Sequence, residues 1–153
     1  MYRKILIAYN GTLESRSALQ ECVRLAPGPS AEIHLLAVVN PPPSVVIGEY
    51  AMVSMQGIEE EILAEKKKME REVSDGQAYL REAGLQVQTH IEVGEPVPTI
   101  AELVDKLGVE LLIVGHSRHQ SLAMRWWRGA TDALLVEKIR CSLLVAMDPK
   151  HDE

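Results

Sequence analysis

Four short runs of the chain are apolar at nearly every position, and each closes on a turn signal. Lys4 to Tyr9 (KILIAY) ends at Asn10-Gly11, Ile33 to Val39 (IHLLAVV) ahead of three prolines at 41–43, Leu111 to Val114 at Gly115, and Leu143 to Met147 at the polar tail PKHDE. Such runs fit strands buried on both faces. A fifth segment, Leu85 to Val93, alternates through Leu85, Val87, Thr89, Ile91 and Val93, which predicts a strand nearer a sheet edge with one more exposed face.

Between the strands the period changes to that of a helix. Ser15 can cap a helix through Ala26, with Ala18, Leu19, Cys22, Val23 and Ala26 on one face, and Pro27-Gly28-Pro29 ends it. Residues 44–57 read as a looser connection containing Gly48 and Gly57. Ile58 to Ala83 is a long helical pattern with Ile58, Ile62, Met69, Val73 and Leu80 near one face. Its Glu- and Lys-rich remainder reads as a solvated face. Helices are also expected from about Thr99 to Leu107, with Ile100, Leu103, Val104 and Leu107 inward, and over 130–140.

Strands alternating with helices predict an open, doubly wound α/β fold: five parallel strands, with helices on both faces. Right-handed crossovers and a reversal of winding place a crevice at the carboxyl ends of the strands. The expected switch point lies between the first strand and the one ending at Val114, so that Asn10-Gly11 and Gly115 face each other across it.

Composition narrows the function. The 153 residues read as one domain, 1–153, with 46% hydrophobic and 25% charged residues, ordinary for a globular protein. Phe is absent, so Leu, Ile, Val and Met fill the core. A net charge of -6 argues against general nucleic-acid binding, which needs a basic surface. The first apolar run is too short for a signal peptide or a membrane span, and no segment reaches about 18 apolar residues. A cytoplasmic protein without membrane insertion is expected. Cys22 and Cys141 read as reduced core thiols.

The candidate chemistry lies in residues 115–131, GHSRHQSLAMRWWRGAT, between a strand and a helix. His116 and His119 lack a Cys or carboxylate in the same loop, so a metal ligand set is incomplete. Gly115-His116-Ser117 resembles the start of a nucleophile elbow, but Arg118-His119 follows where the second glycine is needed, and no triad assembles. No catalytic residue and no metal ligand is assigned. Arg118, His119, Arg125 and Arg128 place cationic donors around the crevice, and a guanidinium binds phosphate bidentately. The alternative is that these arginines are surface residues, with Trp126 and Trp127 packing beneath the loop or in a dimer contact.

The stretches ILIAYNGTLESRSAL, VGEP at 93–96, GVELLIVGHS at 108–117 and GATDALLVEKIRCSLLV at 129–145 together resemble the universal stress proteins of the UspA type. The resemblance covers about Arg3 to Met147. It implies strand order 3-2-1-4-5, a homodimer with its contact near the last strand, Leu143 to Met147, and in one subgroup ATP at the switch point. That subgroup carries glycine, two residues, glycine, nine residues, then glycine followed by Ser or Thr. Gly115 matches the first glycine, but Arg118 occupies the place of the second. Gly129 stands one residue late, with Ala130 at the hydroxyl position and Thr131 after it. Asn10 stands where the nucleotide-binding pattern has an Asp.

Arg118 removes the conformational freedom and the close backbone approach that glycine gives a phosphate loop. Ala130 keeps its N–H at an expected helix start, where anions are favoured, and Thr131 would supply the missing hydroxyl only if the longer loop shifts the turn. Asn10 is either a turn residue or a hydrogen-bonding contact for ribose or adenine, and it offers no charge to Mg²⁺. Val39 is either a core valine or the apolar wall of a base site. The leading expectation is a non-enzymatic, dimeric stress-response protein that acts through an unidentified protein partner, its nucleotide loop degenerate. The alternative is a switch or slow ATPase that binds ATP, AMP or another adenine nucleotide at Asn10, Val39, Gly115, His116, Arg118, Gly129, Ala130 and Thr131.

Overall fold

The computed structural model describes residues 1–40, 51–116 and 135–147. In chain order these form β1 (Lys4–Ala8), α1 (Leu13–Arg24), β2 (Glu32–Val39), α2 (Ala51–Glu82), β3 (Gln86–Val93), α3 (Pro96–Leu107), β4 (Leu111–His116) and β5 (Ser142–Met147). The five strands make one sheet in the order β3-β2-β1-β4-β5. Every neighbouring pair is parallel. Expected strand order and doubly wound architecture are both present.

The alternation of strand side chains divides the core into two layers. Ile5, Ile7, Ile33, Leu35, Leu111 and Ile113 point to one face, where Ala18, Leu19 and Cys22 of α1 and Met69, Val73 and Leu80 of α2 cover them. Leu6, Ala8, Leu36, Leu112 and Val114 point to the other, under Ile100, Leu103 and Val104 of α3 and Leu135. Residues 135–138 are helical, so the end of the helix expected over 130–140 is present, and residues 130–134 lie outside the described residues. The edge position of β3 is equally plain: Val87 is its one buried residue. Burial pushes the Cys22 thiol up to about 12, which leaves it an inert core group, while Cys141 is half-buried; both are free thiols.

Both ends of α1 and the starts of α2 and α3 differ from the sequence reading. The cap of α1 is Thr12, not Ser15: Thr12 is extended (φ −75°, ψ 162°) and its hydroxyl accepts from the Ser15 N–H at 3.3 Å. Ser15 instead sits within the first turn, its hydroxyl donating to the Thr12 carbonyl at 2.9 Å. Helix α1 stops at Arg24 because Ala26 takes a left-handed conformation (φ 48°) before Pro27. Helix α2 begins at Ala51, so the backbone of 51–57 is helical rather than loose. Ala, Met and Gln are good helix formers, and one interior glycine, Gly57, costs only about 1 kcal/mol. Helix α3 begins at Pro96, since proline at the first helical position loses no hydrogen bond and has the right φ already.

Gly115 holds the two sides of the switch point together. A Cβ built on it would fall on the Glu14 carbonyl and lie 2.9 Å from the Ser15 nitrogen, both backbone atoms that cannot swing away. The first turn of α1 therefore rests directly on β4. Gly115→Ala is expected to destabilise the fold by about 3 kcal/mol or more, as overpacking against rigid backbone does. Thr12→Ala, which removes only a cap, should cost about 1 kcal/mol. Urea unfolding of the two variants checks the order; equal losses would show that β4 and α1 separate easily.

Candidate functional site

Parallel strands bring the ends of β1, β2 and β4 to one edge of the sheet, and α1 starts there. Asn10 follows β1 directly. Its N–H donates to the Ser15 hydroxyl at 3.3 Å, and its Oδ1 accepts from both the N–H (3.2 Å) and the hydroxyl (2.6 Å) of Thr12. Both acceptor sites of that oxygen are thus committed to the turn, and Nδ2 is the polar group it has left to offer. Gly11, in a left-handed conformation (φ +81°), has the Glu72 carboxylate of α2 against its α-carbon. The start of α1 has its own acid, the largely buried Glu14, which complements the positive end of the helix.

Val39 ends β2 and is buried; its carbonyl accepts from the Gly94 N–H at 2.9 Å, which ties the ends of β2 and β3 together. Beside it opens a cavity of about 580 Å³ between the end of β2 and the outer part of α2. Val39 and Ile62 give it apolar wall, and Glu61, Glu65, Lys68 and Arg71 surround them. Two acids and two bases leave no net formal charge in this ring.

The structure therefore brings Asn10, Val39, Gly115 and His116 to the same edge. His116 is the half-buried last residue of β4, opposite Met147 of β5. Arg118, Gly129, Ala130 and Thr131 lie outside the described residues, as do Ser117, His119, Arg125, Trp126, Trp127 and Arg128. Among the described residues there is no group of three His, Cys, Asp or Glu placed to hold a metal. No described helix is long and apolar enough to cross a membrane.

Lys68 and Arg71 escaped the sequence reading, which assigned the charges of α2 to solvent, and Ile62 was placed there only on the apolar face of the helix. Their signal was faint but present: 61/62, 65, 68 and 71/72 recur at helical spacing, so they form a stripe bordering the apolar one.

Comparison with known proteins agrees with this geometry. The sequence model of the universal stress protein family matches residues 1–146. Universal stress protein MJ0531 of Methanocaldococcus jannaschii is 26% identical over 157 aligned positions, covering 99% of this chain and 86% of the relative. Among solved structures, hypothetical protein MJ0577 superposes with a TM-score of 0.75 at 20% identity, over 98% of this chain and 99% of the other. A universal stress protein family protein from Arabidopsis thaliana, solved with AMP bound, gives a TM-score of 0.62 at 15% identity over 97% and 93% of the two chains. At these identities the structural likeness is one of fold, and the family model together with the topology makes this chain a member of the universal stress protein family.

Proposed function

We propose that this protein is a dimeric stress-response protein that works by binding rather than turnover, and that its switch-point crevice takes an adenine nucleotide of low phosphate charge, AMP foremost. The observation that carries the reading is the cavity beside Val39, which combines an apolar wall for a base with the two cations of Lys68 and Arg71. The cavity is of ordinary size for a small-molecule site. The Arabidopsis relative with AMP supports the ligand class.

Charge favours a monophosphate over a triphosphate. Lys68 and Arg71 can meet one phosphate, whereas Glu61, Glu65 and the nearby Glu72 oppose further negative charge. Asn10 has no carboxylate to hold Mg²⁺, and its Oδ1 is already engaged by Thr12, which supports retention of the ligand without its hydrolysis. Gly115 and His116 end β4 at the same sheet edge, and Arg118, Gly129, Ala130 and Thr131 would complete the site from the loop.

The dimer rests on β5. Its outer side pairs with no described strand, and Val145 and Met147 are 37% and 41% exposed. A second subunit would cover that edge.

Calorimetric titration of nucleotide-stripped protein should show AMP binding with Kd in about the micromolar range, and ATP binding no more tightly. Lys68→Glu with Arg71→Glu should weaken AMP about tenfold or more, the scale of a lost charge-assisted contact. ATP bound much more tightly than AMP, and only with Mg²⁺, would instead indicate a triphosphate site rebuilt on the arginine-rich loop. For the dimer, Val145→Lys, at an exposed position of β5, should shift the mass in light scattering towards the monomer; an unchanged dimer mass would exclude β5 as the interface.

A further inference from the structure

One residue breaks the apolar filling of β2. Every residue after Glu32 is buried, and His34 among them is 2% exposed. Its Nδ1 lies 2.9 Å from Nε2 of His90 on the edge strand β3, with ring centroids 5.1 Å apart and planes tilted by 35°. The contact is diagonal across the ladder, since His34 stands opposite Gln88 and His90 opposite Leu36. The other ring nitrogen of His34, Nε2, is 3.5 Å from Oε2 of Glu32.

Glu32 selects the tautomer. Two neutral imidazoles in contact share a single N–H between the facing nitrogens. Were it carried by His34 Nδ1, the bare lone pair of His34 Nε2 would face the Glu32 carboxylate. With the proton on His90 Nε2, His90 donates to His34 Nδ1, and the His34 Nε2–H lies on the side of the Glu32 carboxylate, a 3.5 Å charge contact without a hydrogen bond. Electrostatics favours the second arrangement.

We infer that the His34–His90 contact is an acid-sensitive latch holding the edge strand β3 to β2. The contact requires one of the facing nitrogens to be bare, so the latched pair carries at least one proton fewer than two free imidazolium rings. Burial holds His90 below the usual histidine range, and the neighbouring His34 and then Lys106 act in the same direction, while Glu92 opposes them. The charges beside the pair are Glu32 from β2, Glu92 from β3 and Lys106 from α3, while Lys4 of β1, opposite Glu32 in the ladder, donates its Nζ to the Leu107 carbonyl at 3.1 Å. The sign is fixed by linkage: the detached form binds more protons. The latch is fully present above the ordinary histidine value of about 6.5 and is lost as pH falls below it. Opening would release the outer edge of β2 and the Gly94–Val39 tie at its end. The latch does not depend on a bound nucleotide.

Hydrogen exchange on the full chain at about pH 7.5 and about pH 5.5, on either side of the free histidine value, reads the latch directly. After correction for intrinsic exchange, β3 amides should lose about tenfold or more protection at the lower pH relative to those of β1 and β4. His90→Gln, whose amide can still donate to His34 Nδ1 but takes up no proton, should remove most of that loss. Equal changes in β3, β1 and β4, or the same loss in His90→Gln, would overturn the latch. Should the variant fail to fold, NMR titration of the wild-type imidazoles decides. The latch requires coupled titration with one ring displaced to lower pH; two independent rings near 6.5 would overturn it.

Discussion

The architecture turns on one close approach of backbone to backbone, the first turn of α1 lying against Gly115 of β4. No side chain of any size fits between them. The contact seats α1 across β1 and β4, the pair at which the winding of the sheet reverses, and so fixes where the crevice opens. Around it Asn10, Thr12 and Ser15 form a small closed network that positions the start of α1. Gly115 is thus a packing requirement first, whatever part it has in binding.

That arrangement bears on what the crevice can hold. A nucleotide site of the switch-point type needs an apolar wall, donors for phosphate and room at the strand ends. Val39 and Ile62 supply the wall, Lys68 and Arg71 the donors, and the cavity between β2 and α2 the room. The acids interleaved with those donors limit how much phosphate charge they can meet. In the proposed reading, binding energy from such a balanced ring would come mainly from the base and a single phosphate, which suits a sensor of a small adenine nucleotide more than a nucleotide hydrolase.

Much of this was legible in the sequence because the determinants are local. Buried parallel strands read as uninterrupted apolar runs, and the alternation of Leu85 to Val93 marked β3 as an edge. The cap at Thr12 was missed because Thr12 and Ser15 can both cap, and only the extended backbone of Thr12 decides between them. The start of α2 was missed because Gly57 resembles a break, while tertiary packing further along the helix carries it through. The cavity residues on α2 left only a faint stripe in the sequence, and the His34–His90 contact left no sign, for a different reason. Each depends on elements far apart in the chain, and a charged helix stripe or a lone histidine carries no mark of what the fold sets opposite it.

The most direct test of the central claim, that an adenine nucleotide sits at the strand ends beside Val39, is a chemical-shift map. Amide spectra of labelled protein titrated with AMP should change at Asn10 to Ser15, Val39 and Asn40, Lys68 to Glu72 and Gly115 to His116, with β3 and the outer face of α3 unmoved. An unchanged spectrum at saturating AMP, or shifts confined to surfaces away from the carboxyl ends of the strands, would contradict it.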